Sequence, residues 1–257
     1  RLLVHQNVSV EKDTIIGDHS KYYIFDDRIL ILGGMNIEDK SIYADVEGKK
    51  YNDYMVELVG QSFVEKFLQR LRHGARFDEQ APVEFIFNVR RNGAIFYEVK
   101  DKIIQLLASA KESIDIIMAY LGEPDITHTI IEAANRGVRI NLLLPGKANL
   151  QHDLNMQVVK EILAKTNNRV KVFLSKNMIH AKLIRVDKRT VTLGSTNLNK
   201  QAMGKLLELN VLIKNYSDDF GQALDQSIRR NLASAKRISD GGKIKLNSFR
   251  ARLEQLV

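Results

Sequence analysis

The sequence predicts an α/β fold built from two homologous lobes, each with a mixed sheet flanked by helices. Strand-like and helix-like segments alternate from about Ile103 onward, which favours a largely parallel sheet with crossover helices. In addition, the segments "HSKYYIFDDRILILGGMN" from His19 and "HAKLIRVDKRTVTLGSTN" from His180 carry the same residues at the same offsets. Such repetition indicates a duplicated structural unit.

The composition is that of an ordinary globular chain with a positive charge. The 257 residues are 44% hydrophobic and 27% charged, and the formal net charge is +8. This charge favours a polyanionic partner: nucleic acid, anionic lipid or a phosphorylated substrate. The chain has no cysteine, which excludes disulfides, thiolate metal sites and a cysteine nucleophile. The longest apolar runs are strand-sized, and no signal peptide or membrane span is visible, so we expect a peripheral membrane or cytoplasmic protein.

In the first part of the chain, the segment from His19 predicts a strand, a turn and a second strand. The stretch "DYMVELVG" predicts a third strand, and "QSFVEKFLQRLRHG" predicts a helix. Little chain precedes His19, whereas a whole β-α-β-α-β run precedes His180. We therefore expect a first lobe at residues 1–93 that lacks its leading half, and a second lobe at residues 94–257. The boundary is placed in the polar stretch "NVRRNG".

In the second part, "DKIIQLLASAKES" has apolar residues at helical intervals, and "IDIIMAY" follows as a buried strand. The segment "ITHTIIEAANRG" predicts a helix capped by Gly137. Strands are predicted at "VRINLLLP" and "VKVFLS", with a helix near "LNMQVVKEILAK" between them. The last predicted strands are "AKLIRVD", "TVTLGST" and "LLELNVLI".

The duplicated segments both obey the pattern H-x-K-x4-D-x6-G-[GS]-x-N. The matching positions are His19, Lys21, Asp26, Gly33 and Asn36 in the first copy and His180, Lys182, Asp187, Gly194 and Asn197 in the second. Since side chains alternate along a strand, each His and Lys lie on one face, and each Asn returns to their neighbourhood after the turn. Two facing sets would form a cradle for a tetrahedral anion such as phosphate.

These residue types suit phosphodiester cleavage without a metal or cofactor. One neutral histidine can attack phosphorus, while a protonated histidine donates to the leaving oxygen. Lysine and asparagine side chains can then bind the equatorial oxygens. The small residues Gly33, Gly34 and Gly194 would let phosphate approach closely. The candidate phosphate-binding residues are Lys21, Asn36, Lys182, Ser195 and Asn197.

Structural roles compete with functional ones at these positions. Asp26 and Asp187 suit the turn of a hairpin, and we assign them that role. The histidines outside the repeat are interpreted as structural or surface residues: His5, His73, His128 and His152. The match of five positions in both copies favours the functional interpretation for the remaining motif residues.

The duplicated segments resemble the HKD motifs of the phospholipase D superfamily, and both match that signature without gaps. Within the superfamily the chain is most similar to bacterial cardiolipin synthases, through "GGMNI", "HAKLIRVD…GSTNLN", "LLELNVLI", "MAYLGEP" and "GVRINLLLP". The segment "DDFGQALDQSIRRNLASAKRIS" resembles their C-terminal helix. That family usually has Trp and Arg before the acidic residue that follows the first motif, whereas this chain has Tyr51 and Asn52 before Asp53.

The resemblance implies a phosphatidyltransferase of the cardiolipin synthase type, with its active site between two phospholipase D-type lobes. It implies cleavage of a phosphatidylglycerol-like phospholipid through a phosphohistidine, followed by transfer to an alcohol. His19 is implied as the nucleophile and His180 as the acid and base, although the residues alone leave that order open. The resemblance also implies that an acidic side chain orients each histidine, often across the lobes. The implied catalytic set is His19, Lys21, Asn36, Asp53, His180, Lys182, Asn197 and Glu208.

Two alternatives stay open at this point. One is a hydrolase that uses water on lipid or nucleic acid at the same site, and the other is a non-catalytic relative that binds lipid or nucleic acid. Residues 227–257 contain eight Lys or Arg residues against two acidic residues, a net charge of +6. Such a run is either a solvated helical face or a patch that contacts an anionic membrane or nucleic acid.

Overall fold

The first of two sheets is small and antiparallel. The structure is a computed structural model that describes residue 9 and residues 17–43 and 50–255. In this sheet β1 pairs with β2, and β2 pairs with β3, as predicted from the strand-turn-strand pattern. The part of the chain that forms this sheet contains β1 (Tyr22–Phe25), β2 (Ile29–Gly33), α1 (Asp39–Ile42), β3 (Met55–Val59) and α2 (Gln61–His73).

The second sheet has nine strands in the order β12-β8-β7-β6-β9-β10-β11-β4-β5. Strands β6, β7 and β8 are parallel, and the other pairs are antiparallel, so the sheet is mixed and not largely parallel. The elements are β4 (Val83–Arg91), β5 (Ala94–Tyr97), α3 (Val99–Ala108), β6 (Ser113–Met118), α4 (Pro124–Asn135), β7 (Arg139–Pro145), α5 (His152–Lys165), β8 (Lys171–Ser175), β9 (Lys182–Val186), β10 (Thr190–Gly194), α6 (Lys200–Gly204), β11 (Glu208–Lys214), α7 (Asp218–Ala233), β12 (Lys236–Ile238) and α8 (Ser248–Glu254).

Strand β4 belongs to the second sheet, which differs from the boundary expected at residues 88–93. It pairs along its length with β11 and then turns back into β5. Asn92 and Gly93 have φ angles of 50° and 79°, as the two-residue turn of a hairpin requires. The polar stretch "NVRRNG" is therefore the end of a strand and a turn. We propose that the boundary lies between α2 and β4.

Two hydrophobic cores bury both faces of the second sheet. One core packs the sheet against α3, α4 and α5 and includes Ile116, while the other lies between the two sheets and includes Ile117. Both isoleucines are about 1% exposed, which explains why β6 is a continuous apolar run. Helix α7 completes the second core with Leu224 and Ile228. The two sheets are thereby held face to face.

The hairpins of the two motif copies share one turn geometry. Asp26 and Asp27 in the first copy both have a φ of 51°, and Asp187 and Lys188 in the second have φ values of 50° and 54°. Two consecutive residues with positive φ form the tight turn that matches the strand twist. This geometry accounts for the acidic residue of each motif. Among the described residues, no helix is long and apolar enough to cross a bilayer.

Candidate active site

Each motif histidine contacts a carboxylate that comes from the other sheet. The Nδ1 atom of His19 lies 3.1 and 3.2 Å from the two carboxylate oxygens of Glu208, the first residue of β11. The Nδ1 atom of His180 lies 2.7 Å from Oδ2 of Asp53, just before β3. The structure thus brings both predicted histidines and both predicted acids together in two reciprocal pairs.

Backbone hydrogen bonds between the lobes hold these pairs in place. The amide of His19 donates to the carbonyl of Leu207 at 2.9 Å, and the amide of His180 donates to the carbonyl of Asn52 at 2.8 Å. Leu207 precedes Glu208 and Asn52 precedes Asp53 in the chain. Each histidine is therefore tied by its own backbone to the residue next to its acidic partner.

The small motif residues make room for these acids and for the neighbouring strand. A Cβ atom on Gly33 would clash with the carbonyl of Tyr54, and one on Gly194 would clash with the carbonyl of Leu209. A Cβ atom on Gly34 would meet the carboxylate of Asp53. Close packing of the central strands thus requires these glycines.

Ser195 is hydrogen-bonded to the acid of the first pair. It is fully buried, and its hydroxyl donates to the carboxylate of Glu208. The same oxygen accepts a hydrogen bond from the amide of Leu209 at 3.0 Å. We propose that Ser195 has a positioning role behind the pair of His19 and Glu208, in place of the phosphate-binding role expected from the sequence.

Lys182 lies beside the imidazole of His180 and is almost completely buried. Its Nζ atom is 3.0 Å from Nδ1 and 3.2 Å from Nε2 of His180, and its exposed fraction is 2%. Burial lowers the pKa of Lys182 to about 8, although Asp53 and Glu208 oppose that shift. Lys21, in the other copy, donates to the carbonyl of His19 at 2.5 Å, and burial also lowers its pKa.

The imidazole of His180 is biased toward its neutral form. Burial lowers its pKa below the usual value, the charge of Lys182 adds to that effect, and the hydrogen bond with Asp53 opposes it. With Nδ1–H donated to Asp53, the Nε2 lone pair is the reactive position of the ring. The side chain of His180 is 11% exposed and that of His19 is 26% exposed, so the second copy is the more enclosed one.

The two motif asparagines occupy different environments. Asn197 is 6% exposed, and its Oδ1 atom is buried without a hydrogen-bond partner among the described residues. Asn36 is exposed, and its Nδ2 atom lies 3.4 Å from a carboxylate oxygen of Glu38. The structure therefore places Asn197 in the enclosed part of the site and Asn36 at its exposed border.

A family comparison identifies the larger part of the chain. The family described as "Cardiolipin synthase, PLD-like domain" matches residues 103–232, just over half of the chain and including the second motif. The chain belongs to this phospholipase D-like family. The family assignment predicted from the motifs is confirmed.

Relatives of known name extend the comparison over most of the chain. Cardiolipin synthase B of Escherichia coli strain K12 is 25% identical over 234 residues, covering 84% of this chain and 56% of that protein. Cardiolipin synthase B of Salmonella typhimurium is 26% identical over 231 residues, covering 83% of this chain and 54% of that protein. The chain therefore spans about half the length of the curated relatives it matches.

Solved structures show the same phospholipase D fold. Phosphatidylserine synthase from Haemophilus influenzae has a TM-score of 0.73 at 15% identity, covering 93% of this chain and 67% of that chain. Nuc, a phospholipase D family member from Salmonella typhimurium, has a TM-score of 0.52 at 20% identity, covering 62% of this chain and 98% of that chain. Together with the mixed sheets flanked by helices, these matches confirm the predicted fold class.

Tyr51 is a residue of this phospholipase D-like site that sequence reasoning did not select. Its ring stacks on the imidazole of His180, with ring centroids 5.6 Å apart and planes 22° apart. The ammonium of Lys40 lies 4.7 Å from the centroid of the Tyr51 ring. The available signal was its position two residues before Asp53, where the family usually has another aromatic residue. The stack itself joins two lobes, so strand periodicity could not indicate it.

Proposed function

We propose that this protein is a phosphatidyltransferase of the cardiolipin synthase type, which works through a phosphohistidine and without a metal. The observation that carries the proposal is the pair of reciprocal contacts, His19 with Glu208 and His180 with Asp53. An acid bonded to Nδ1 leaves Nε2 of each ring available for chemistry, as in other acid–histidine pairs. The names of the matched relatives support a phospholipid substrate.

The proposed first step cleaves a phosphodiester of a phosphatidylglycerol-like lipid. Nε2 of His19 attacks phosphorus, the bond from phosphorus to the headgroup oxygen breaks, and His180 gives a proton to that oxygen. In the second step, His180 takes a proton from the acceptor hydroxyl, whose oxygen attacks phosphorus and releases His19. We propose that Lys21, Lys182 and Asn197 bind the phosphate oxygens throughout, with Asn36 at the border of the site.

The protonation of His180 depends on the substrate in this proposal. In the free protein, burial and Lys182 keep its pKa low, so the ring is neutral at neutral pH. A bound phosphodiester adds a negative charge next to the ring, which raises its pKa and supplies the acid form.

The decisive experiment follows lipid products from phosphatidylglycerol vesicles, with and without a chelator. The wild-type protein is compared with His180→Asn and with His128→Asn, whose histidine is exposed on α4 and paired with Glu132. We expect chelator-resistant formation of cardiolipin and glycerol by the wild type and by His128→Asn, and none by His180→Asn.

Other outcomes would contradict the proposal in distinct ways. Phosphatidic acid without cardiolipin would identify a hydrolase. Cleavage of DNA without lipid turnover would identify a nuclease, and binding without any turnover would identify a non-catalytic relative. If acid-labile phosphate were trapped on the His19→Asn variant and not on the His180→Asn variant, His180 would be the nucleophile and His19 the acid and base.

A further inference from the structure

The basic tail predicted from the sequence folds back onto the second lobe. Strand β12 pairs with β8, with Lys236 opposite Leu174 and Ile238 opposite Val172. A single 3-10 turn at Gly241–Lys243 follows, and α8 packs on α5. The positive charges of the tail therefore have defined positions on the fold.

The folded tail forms one wall of a pocket of about 490 Å³. The opposite wall comes from the end of β7, from β8 and from α5. Positively charged or basic residues of its lining are His152, Lys236, Arg237, Lys243 and Lys245. Its apolar lining residues are Met156, Leu174, Ile238 and Ile244.

The cations of this pocket outnumber the acidic groups among its described lining residues. Lys236, Arg237, Lys243 and Lys245 are exposed, and none forms an ion pair with a described residue. The lining contains one acidic residue, Asp240, whose carboxylate accepts the amide of Gly242 at 2.8 Å within its own turn. By contrast, two other tail arginines are paired with carboxylates: Arg229 with Asp225 and Arg250 with Glu254.

His152 supplies an independent observation at the same place. Its Nδ1 atom is buried and has no hydrogen-bond partner among the described residues. A buried polar atom without a partner is uncommon in folded proteins, because the lost hydrogen bond is costly. His152 also belongs to the pocket lining, so this imbalance of polar groups lies next to the cations of the tail.

The pocket lies on the same edge of the second sheet as the candidate active site. Parallel strands β6, β7 and β8 end at Met118, Pro145 and Ser175, and Met118 pairs with Lys182 at the start of antiparallel β9. The lining residue Gly146 follows β7 and donates its amide to Ser175 at 2.8 Å. With a strand spacing of about 4.8 Å, the pocket lies roughly 10–20 Å from the strand that begins after His180.

We propose that this pocket binds the phosphate-containing headgroup of an anionic phospholipid and holds the active-site edge of the protein against the membrane surface. The inference rests on the proposed function and adds a second lipid site to it. Unpaired cations suit the phosphate, and the apolar wall suits the glycerol and the start of the acyl chains. None of the described lining residues is a Phe, Tyr or Trp on which a nucleic-acid base would stack, which favours lipid over single-stranded nucleic acid.

Vesicle binding with charge-matched variants tests this proposal. The pocket variant combines Lys236→Gln, Lys243→Gln and Lys245→Gln. The control variant combines Lys171→Gln, Lys188→Gln and Arg189→Gln, which removes three exposed cations from the opposite end of the sheet. Binding is measured by flotation with vesicles of phosphatidylglycerol and phosphatidylcholine. Turnover is measured on a short-chain phosphatidylglycerol that is monomeric in solution.

We expect the pocket variant to bind vesicles on the order of 100-fold more weakly than the wild type, since each Lys near an anionic surface contributes to binding. The control variant should lose much less affinity, and both should turn over the soluble substrate at the wild-type rate. If the two variants lost vesicle affinity equally, or if neither lost any, the proposal that this pocket binds lipid would be overturned. No turnover of the soluble substrate by any variant would instead contradict the proposed function.

Two further experiments test whether the pocket binds a ligand other than lipid. Inorganic phosphate is added in a thermal unfolding experiment, and single-stranded DNA is added in a binding titration. Stabilisation by phosphate that the pocket variant loses, without any vesicle binding by the wild type, would overturn the lipid assignment in favour of a soluble anion. A loss of DNA binding confined to the pocket variant, with vesicle binding unchanged, would overturn it in favour of nucleic acid.

Discussion

At the scale of single residues, the two motif copies are chemically alike but electrostatically different. Lys182 and His180 are enclosed, whereas Lys21 and His19 are more exposed. Burial penalises the charged form of both lysines and of His180, so it lowers all three pKa values. The buried Lys182 of the second copy therefore loses its charge at a lower pH than an exposed lysine does.

The first prediction concerns the pH dependence of Lys182. Its pKa of about 8 means that the ammonium is charged below that pH and neutral above it. Because the charge stabilises a phosphate in the site, kcat/KM on a soluble phosphodiester should fall as pH rises through about 8. Lys182→Arg keeps a positive charge over that range, so its kcat/KM should not fall as pH rises through about 8. The control Lys188→Arg should still show this fall, which is the basic limb of the pH profile. A basic limb unchanged in Lys182→Arg would assign it to another group.

The second prediction concerns the stack of Tyr51 on His180. Tyr51→Ala removes the ring that orients the imidazole, and Tyr51→Phe keeps it. We expect kcat/KM to fall about 2- to 12-fold in Tyr51→Ala, which corresponds to about 0.5–1.5 kcal/mol for an aromatic pair. Tyr51→Phe should stay near the wild type. If both variants lost activity equally, the hydroxyl and not the stack would be the important group.

At the scale of elements, the acidic residues of the two motifs share a role in the hairpin turn, and Asp187 has a second role as well. Asp26 and Asp187 both adopt positive φ, but only Asp187 accepts hydrogen bonds from the described backbone between α3 and β6. Its carboxylate accepts the amides of Lys111, Glu112 and Ser113. This contact anchors the β9–β10 hairpin to the start of β6.

The third prediction uses this difference between the two hairpins. Asp187→Ala should lower the free energy of unfolding by about 1–3 kcal/mol more than Asp26→Ala, since both variants have the same unfavourable φ but only Asp187→Ala loses these hydrogen bonds.

Burial opposes ionisation of Asp187, but the three backbone amides outweigh it and lower its pKa. Its contribution is therefore present above the unfolded pKa of about 3.9 and is lost as pH falls through the folded value. Urea unfolding at neutral and acidic pH measures this. A difference that persisted at the lowest pH would contradict it.

At the scale of the whole molecule, the site exists only where the two lobes meet. Helix α7 supports that meeting from the side, because Asn231 bonds to the side chain of Asn52 at 2.5 Å and to the hydroxyl of Tyr54 at 2.8 Å. These two residues flank Asp53 in the chain. A helix of the second lobe thus holds the acid that the first lobe supplies to His180.

The fourth prediction tests this support. Asn231→Ala should lower kcat on a soluble phosphodiester while KM changes little, because Asp53 is held less firmly against His180. The free energy of unfolding should fall by about 1–3 kcal/mol from the lost hydrogen bonds. Asn135→Ala on α4, far along the chain from either motif, is the matched control and should keep its kcat. A rise in KM with kcat unchanged would show that Asn231 affects binding instead.

Several features were accessible from the sequence for identifiable reasons. Helix α3 and strands β6 to β8 follow from apolar periodicity, which depends on local burial. The boundary was predicted at "NVRRNG" because this stretch is polar like a linker, yet Asn92 and Gly93 form a hairpin turn, which is why we propose a boundary between α2 and β4 instead. The contacts of Gly34 with Asp53 and of Ser195 with Glu208 could not be predicted from the motif pattern, because both carboxylates come from distant parts of the chain.

By itself the sequence determined the repeated set of histidines, lysines and asparagines, the order of most helices and strands, and the family. Only the tertiary structure decided which acid contacts which histidine, because His19 and Glu208 are 189 positions apart and meet through packing between two sheets. It also decided which copy is buried, since burial depends on what covers a residue and not on its local pattern. The shifted pKa values follow from that burial, so they too are properties of the folded whole.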